Sequence, residues 1–217
     1  RVIQDSEAAQ MRRRAGLARN VLGLVAEGEG NYEEALRLYR TALADAQALK
    51  AEMEMAYVQH DLGALLARLN QPLDAIPLLE AACAAWTKQG NLQLRVKSEA
   101  FLGLACLAAG DRALADELAA SGLTNFQSGV PVGEQTQDWM WALYRLMIAL
   151  DQTEHAPDVL RAAYAELQRQ AKNISDLNLR QSFFERVPVN RDIVWAFDQL
   201  SVIPRVISTS LARKDVP

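Results

Sequence analysis

Two histidines and two cysteines are the side chains of this sequence whose types could support catalysis or metal binding. His60 and His155 are far apart, and Cys83 and Cys106 lie in Ala- and Leu-rich stretches. No spacing among them matches the Cys and His ligands of a zinc site. Both cysteines fit small core positions better than an activated nucleophile, which needs a neighbouring base. We therefore expect no metal, no cofactor and no catalytic residue.

Two short motifs could bind phosphate, and each also has a structural explanation. Gly28-Glu29-Gly30 is acidic and lacks the Lys-Ser/Thr ending of a phosphate-binding loop, so we interpret it as a turn. Arg12-Arg13-Arg14 could meet phosphate or an acidic partner, although such a run on a helix is more often a solvated face. The net charge is −4, so no broad basic field attracts nucleic acid. No apolar run reaches the roughly 18 residues that span a membrane.

The composition indicates the elements that must position these side chains. Ala and Leu fill 67 of 217 positions, whereas Val, Ile and Thr together fill 27. Because Ala and Leu favour helices and β-branched residues favour strands, the composition predicts an all-α fold. Two cysteines in helical stretches predict a reducing compartment, and we expect a cytoplasmic protein. The first residue is Arg rather than Met, which suggests a piece of a longer protein.

An internal repeat organises the first half of the chain. Three segments, which begin at Leu22, Leu62 and Leu102, align without gaps at a constant period of 40. Small residues coincide in all three segments: Gly23, Gly63 and Gly103; Ala35, Ala75 and Ala115; Ala42, Ala82 and Gly122. They remove bulk where paired helices cross, and leucines such as Leu22, Leu62 and Leu102 are expected to fill the space between helices. Breaks at Gly30-Asn31, Asn70-Gln71-Pro72 and Gly110-Asp111 predict a helix–turn–helix in each segment.

These units resemble the tetratricopeptide repeat family. The first unit carries the family's spacing in Leu22-Gly23, Gly30-Asn31-Tyr32, Ala35, Tyr39 and Ala42. The period of 40 exceeds the usual 34, which lengthens each helix by about one turn. The resemblance implies one domain over residues 1–217, a right-handed α-solenoid of antiparallel hairpins. We expect regular repeats at about 16–50, 56–90 and 96–126.

The later part of the chain departs from the pattern. Leu143 stands where the phase requires glycine, so we expect a degenerate fourth hairpin at about 134–173. C-terminal capping helices are expected at about 175–201, followed by a tail at 202–217. Ser175 or Asp176 can cap the first of them, which runs to about Val187, and Asn190 can cap the second, which runs to about Leu200.

Two further local features bear on the expected structure. Pro77 lies inside an expected helix, so either that helix begins near Asp74 or it is bent. The C-terminal segment resembles one that follows repeats in bacterial cyclase, kinase and related regulatory proteins, with an L-R-x-x-F core before N-R-x-I.

The family resemblance implies a concave groove lined by the first helix of each hairpin. The candidate binding residues are Asn20, Glu27, Tyr57, His60, Arg68, Lys97, Gln137, Met140 and Tyr144. We expect a non-catalytic protein-interaction and regulatory module of a larger bacterial signalling or transcription-regulatory protein, which binds a protein or peptide. The alternative is a ligand- or peptide-sensing solenoid that controls a fused effector domain. Self-association is left open, and nucleic acid and membrane are not expected as partners.

Overall fold

A computed structural model describes residues 2–129 and 136–211 of the chain. These residues contain no strand and form ten helices: α1 (Val2–Gly28), α2 (Tyr32–Ala48), α3 (Glu52–Arg68), α4 (Pro72–Lys88), α5 (Leu92–Ala108), α6 (Arg112–Gln127), α7 (Thr136–Ala149), α8 (Ala156–Ala171), α9 (Leu177–Glu185) and α10 (Pro188–Leu211). Within α1 to α6 each helix packs on the next one, α7 packs on α8, and α10 packs on α8 and α9. The predicted all-α hairpin fold is therefore confirmed.

The turns between the first six helices recur at a constant spacing, which is half the repeat period. Each turn contains one residue with positive φ: Gly30 (77°), Lys50 (51°), Asn70 (57°), Gly90 (66°) and Gly110 (93°). A residue in this left-handed conformation commonly ends a helix. One repeat is thus two helix–turn steps of equal length. α3 and α5 each begin four residues before the repeats that the sequence predicted to start at 56 and 96.

Hydrogen bonds close these turns in the same way each time. The amide of Asn31 donates to the Ala26 carbonyl at 2.8 Å, and the amide of Asp111 donates to the Cys106 carbonyl at 2.9 Å. The side chains of Asn31 and Asp111 then accept from the next helix, at Glu34 N and Leu114 N. The same residue therefore ends one helix and caps the following one.

The repeated glycines lie where paired helices approach most closely. A Cβ atom on Gly23 would lie 2.5 Å from Cε1 of Tyr39, and one on Gly63 would lie 2.7 Å from Cγ of Leu79. The repeated alanines Ala35 and Ala75 are fully buried. The prediction that small residues permit these crossings is confirmed, whereas Leu22 is 55 % exposed and does not fill space between helices.

The helix that contains Pro77 begins at Pro72, two residues before Asp74, because proline suits the first helical position. The expected ends of the last helix are wrong. The last helix begins at Pro188 rather than after Asn190, and it continues to Leu211 rather than ending near Leu200. Residues 202–211 of the expected tail are therefore helical, and residues 212–217 lie outside the described part.

The chain forms two compact units, the first with α1 to α6 and the second with α7 to α10. In the second unit, α7 and α8 form the expected fourth hairpin, and α10 packs on α8 and α9. Leu143 is fully buried, and the Tyr164 and Phe197 rings stack with centroids 3.9 Å apart. Asp176 caps α9 by accepting from Asn178 N and Leu179 N. The second unit is thus built around large side chains.

Candidate interaction surface

Six of the predicted binding residues lie in the first unit, on α1, α3 and α5. These helices are the first members of their hairpins, and α3 contacts both α1 and α5. We call the surface formed by these residues and their direct partners on α1, α3 and α5 the first-helix face. Its predicted members are Asn20, Glu27, Tyr57, His60, Arg68 and Lys97.

A hydrogen bond from α1 to α3 lies at the centre of the first-helix face. Asn20 Nδ2 donates to Asp61 Oδ2 at 2.8 Å. The pKa of Asp61 is raised to about 7, chiefly by burial and also by the neighbouring Glu27 carboxylate, while the hydrogen bond from Asn20 opposes the rise. Asp61 therefore changes charge near neutral pH.

An ion pair also joins α1 to α3. An Arg68 guanidinium nitrogen lies 2.8 Å from Glu27 Oε1, and the Tyr39 hydroxyl donates to Glu27 Oε2 at 2.8 Å. Both carboxylate oxygens of Glu27 are thus engaged, and the residue is 8 % exposed. The Arg68 guanidinium lies 5.2 Å from the Phe101 ring centroid, which is a cation–π distance. Arg68 therefore connects three helices.

His60 joins α3 to α5. Its Nδ1 lies 3.0 Å from Ser98 Oγ, and that hydroxyl donates to the Leu94 carbonyl at 3.1 Å. Because the hydroxyl proton is used, His60 Nδ1 is the donor, which leaves Nε2 as an acceptor. The pKa of His60 is lowered to about 3, chiefly by burial and also by the charges of Lys97 and Arg68. His60 is therefore neutral at physiological pH.

Tyr57 is the large aromatic side chain that this face presents to solvent. It is 41 % exposed, and its ring meets Trp86 edge-on with centroids 4.9 Å apart. Trp86 is 1 % exposed, and its contact fixes the orientation of the Tyr57 ring. A partly exposed ring with fixed orientation is well suited to anchor a partner, since little rotamer freedom is lost on binding.

A narrow cleft lies at the α1 end of this face. Its lining includes Arg12, Arg13, Asn20 and Tyr57, and its volume is about 20 Å³. That space holds a water molecule but no organic ligand. Arg13 forms an ion pair with Glu54, and Arg12 lies 3.9 Å from Asp45. These two arginines are therefore engaged within the unit.

The three remaining predicted residues lie on α7, in the second compact unit. Gln137 and Met140 are each 5 % exposed, and Gln137 Oε1 accepts from Gln170 Nε2 at 2.7 Å. Tyr144 stacks on Trp141 with centroids 5.3 Å apart. Gln137 and Met140 support the helix packing of that unit and offer almost no surface to a partner.

Three contact residues of this face, Asp61, Ser98 and Phe101, were absent from the prediction, and so was Trp86 of α4, which contacts Tyr57. Asp61 stands at the repeat phase of Val21, and Ser98 at the phase of Ala18 and Val58. A polar residue at a position that is apolar in a neighbouring repeat was therefore the signal that could have found Asp61 and Ser98.

Within the described residues, His, Cys, Asp and Glu form no group of three that could hold a metal ion. Burial raises the pKa of Cys83 to about 12 and also raises that of Cys106, so both thiols stay protonated at neutral pH. Among the described helices, none combines the length and apolar character of a membrane span.

One family model matches part of this chain. Residues 13–88, which cover most of α1 and all of α2 to α4, match the family model for the tetratricopeptide repeat. A search of the curated proteins finds no match. The matched residues include the first two members of the glycine, alanine and small-residue series. The match therefore covers α1 and α3 of the first-helix face, whereas α5 lies outside it.

Proposed function

We propose that the chain is a non-catalytic interaction module whose first-helix face binds a peptide or helix of a partner protein. Tetratricopeptide repeats are in general protein–protein interaction modules. The observation that carries the proposal is the exposed Tyr57 ring beside a set of polar groups held by contacts between helices. Such groups are already ordered before a partner arrives, which lowers the entropy lost on binding.

The face offers different chemistry along its length. Tyr57 provides an apolar ring for a partner side chain, whereas His60 Nε2 provides an acceptor. Asp61 donates a hydrogen bond when protonated and accepts when ionised, and its pKa of about 7 makes both forms accessible. A peptide with one apolar anchor and backbone amides and carbonyls on either side matches this arrangement.

The finer proposal is a regulatory module in a larger bacterial signalling or transcription-regulatory protein, located in the cytoplasm. Its support is the C-terminal L-R-x-x-F and N-R-x-I resemblance. In the second unit, Arg180 donates twice to the Ile174 carbonyl, and Asn190 Nδ2 donates to the Phe183 carbonyl at 3.0 Å. The shared residues therefore serve the packing of α9 and α10, so the resemblance extends to a folded element.

A second candidate function is ligand sensing. It is favoured by the fact that Asn20–Asp61, Glu27–Arg68 and His60–Ser98 each join two neighbouring helices. A ligand that replaced one of these contacts would change the spacing of α1, α3 and α5. A fused effector domain could then respond to that change.

A displayed peptide library selected on the 217-residue chain tests the leading proposal. Selected peptides should bind at least tenfold more weakly to a Tyr57→Ala, Lys97→Ala double variant, because the anchor and a neighbouring charge are both removed. Leu73→Ala is the matched control, since Leu73 is 78 % exposed on α4, away from this face. Undiminished binding by the double variant would rule out the first-helix face as the binding site. Thermal stabilisation by a small molecule, lost in the same variant, would instead favour the sensor.

A further inference from the structure

The cleft between α1, α2 and α3 has an equivalent one repeat later, and there the chain places a tryptophan of its own. Trp86 stands one period after Ala46 and is fully buried. Around it lie residues of α3, α4 and α5: Ala56, Ala82, Ala85, Leu94 and Tyr57. An indole ring therefore fills the junction between the second and the third hairpin.

The junction between the first and the second hairpin is lined by the equivalent positions but holds no ring. Ala46 stands at the phase of Trp86. The repeat equivalents of the residues around Trp86 all line the cleft: Gly16, Ala42, Asp45, Glu54 and Leu17. Phe126 stands at the phase of Trp86 in the third repeat. The first repeat thus lacks the aromatic residue that the second and the third carry, and a cleft is left in its place.

The cleft lies apart from the positions at which another helix would pack on α1. The α3 residues that bond to α1 are Glu54, Asp61 and Arg68. Their repeat equivalents on α1 are Arg14, Val21 and Gly28, and none of these lines the cleft. A helix packed on α1 as α1 packs on α3 would therefore leave the cleft open.

The charged groups of the cleft suit an uncharged side chain that donates a hydrogen bond. The lining contains two arginines, Arg12 and Arg13, and two carboxylates, Asp45 and Glu54, so the charges balance. Arg19 binds Asp45 Oδ2, and Arg13 binds Glu54 Oε1, which leaves the second oxygen of each carboxylate able to accept. An indole ring is uncharged and carries one N–H donor, so it matches both features.

We propose that the cleft between α1, α2 and α3 binds the indole ring of a tryptophan in a partner peptide. The inference rests on the proposed function, because Asn20 and Tyr57 line the cleft and also belong to the first-helix face. A peptide on that face can therefore place one side chain in the cleft. Tryptophan in a pocket is among the residues that contribute most to the affinity of an interface. Residues 1, 130–135 and 212–217, outside the described part, include no aromatic residue, so they do not supply the ring.

A ring can enter the cleft when side chains at its mouth turn outward. The cleft measures about 20 Å³, but Leu17 and the two arginines of the lining are exposed. Changes of side-chain rotamer are common when a partner binds. The buried residues Gly16 and Ala46 form a floor of small side chains that stays in place. Leu17 then lies beside the ring at the position that Tyr57 takes beside Trp86.

Binding of the ring alone is the first measurement. N-Acetyl-tryptophan amide, titrated to millimolar concentration into the 217-residue chain, should shift the methyl NMR signals of Ala42 and Ala46 through its ring current. N-Acetyl-leucine amide is the control and should bind about tenfold more weakly, because its side chain is smaller and has no N–H donor. Unshifted alanine signals, or equal affinities for the two amides, would overturn the proposal. The peptide selection that tests the first-helix face does not depend on this result.

Filling the cleft from within the chain gives the second measurement. Ala46→Trp introduces the side chain that the second repeat has in Trp86, and Ala46→Phe introduces the one that the third repeat has in Phe126. Either ring should occupy the cleft and weaken binding of tryptophan-containing peptides, selected on the unsubstituted chain, by about tenfold or more. Circular dichroism should show unchanged helix content. Leu73→Trp is the matched control, since it adds the same ring at an exposed position of α4, and it should leave binding unchanged.

Undiminished peptide binding in both cleft variants would overturn the proposal. If the same peptides still lost affinity in the Tyr57→Ala, Lys97→Ala variant, the first-helix face would remain their binding site, so the two failures can be told apart. Unfolding of both cleft variants would also overturn the proposal, because a cleft that fits an indole ring must accept Trp or Phe at position 46.

Discussion

Gly63 and Leu143 occupy the same repeat phase, two periods apart, in the first and the second unit. Gly63 lets α3 approach α4 so closely that an added Cβ atom would lie 2.7 Å from Leu79. Leu143 is fully buried in its own hairpin, among large side chains such as Trp139. A helix hairpin therefore forms with either packing, through close backbone approach or through bulky side chains that fill a wider space.

The small-residue pattern ends where this packing changes. Gly103, Ala115 and Gly122 continue the pattern through α5 and α6, beyond the end of the family match at Lys88. The hairpin of α7 and α8 then continues the architecture without the pattern. Glycine and alanine are needed only where two helices approach closely, so the pattern is absent where large side chains separate them.

The largest effect is expected for Leu143→Gly, which introduces into the second unit the glycine that the first unit has at the same repeat position. It should destabilise the protein by about 4 kcal/mol, because it leaves a cavity and adds the helix cost of glycine. Urea denaturation followed by circular dichroism measures the change. Ile148→Gly, at a 42 % exposed position of the same helix, should lose only about 1 kcal/mol. Equal losses at both sites would mean that Leu143 is not filling a tightly packed space.

The reverse exchange is expected to have a smaller effect. Gly63→Ala should destabilise by about 2 kcal/mol, because the added Cβ overlaps Leu79 and exceeds the gain in helix propensity. Gly28→Ala is the control, since a Cβ there meets no atom within 4 Å, and it should be neutral or slightly stabilising. Thermal unfolding measures both, and a stabilising Gly63→Ala would show that the crossing is looser than described.

The first unit also contains a titratable contact between helices at Asp61, which makes its stability sensitive to pH. Its pKa rises from 3.8 to about 7 on folding, so the folded state binds a proton more tightly. The corresponding stability is complete below pH 4 and is lost as pH rises through 7. Asp61→Asn should therefore gain stability over the unsubstituted chain at pH 8, on the order of 1 kcal/mol.

Denaturation at pH 4 is the control for that variant, because Asp61 is protonated there and the difference should disappear. The titration of His60 is common to both chains and cancels in the comparison. An unchanged difference between pH 4 and pH 8 would show that Asp61 titrates normally.

The smallest effect concerns the regularity of the first unit's turns. Lys50 has φ of 51° at a position where Gly30, Gly90 and Gly110 also have positive φ. Lys50→Gly should stabilise by about 0.5–1 kcal/mol through relief of the side-chain strain. The reciprocal Gly90→Lys should destabilise by a similar amount, and chemical denaturation compares the two. A loss of stability in Lys50→Gly would contradict this account of the turn.

The fold was largely predictable from the sequence. Gly and Asn at 30, 70 and 110, followed by capping residues, indicated the turns within hairpins because these types favour the left-handed conformation. Lys50 is not a residue type that favours the left-handed conformation, so the sequence did not indicate a turn there. The pattern therefore revealed the full repeat period but not the half-period spacing of the turns. The extension of α10 past Leu200 was not predictable, because Pro204 in that segment favours the end of a helix.

The candidate site was predicted less completely. Helical phase assigned Asn20, Glu27, His60 and Arg68 to the first helices of the hairpins, but it could not tell an exposed side chain from a buried ion pair. Glu27 is held by Tyr39 and Arg68 across three helices, and such pairings depend on how helices cross. Phase alone therefore identified the helices of the face better than the contacts within it.

The even spacing of the turns limits how such a protein can grow. An insertion of one helix and one turn would keep every helix intact but convert each later first helix into a second helix. The side chains that formed one continuous surface would then alternate between two opposite surfaces. Only duplication of a whole hairpin leaves the order of the surfaces unchanged. The spacing of the turns, rather than the length of the helices, therefore sets the length of a duplication that the fold tolerates.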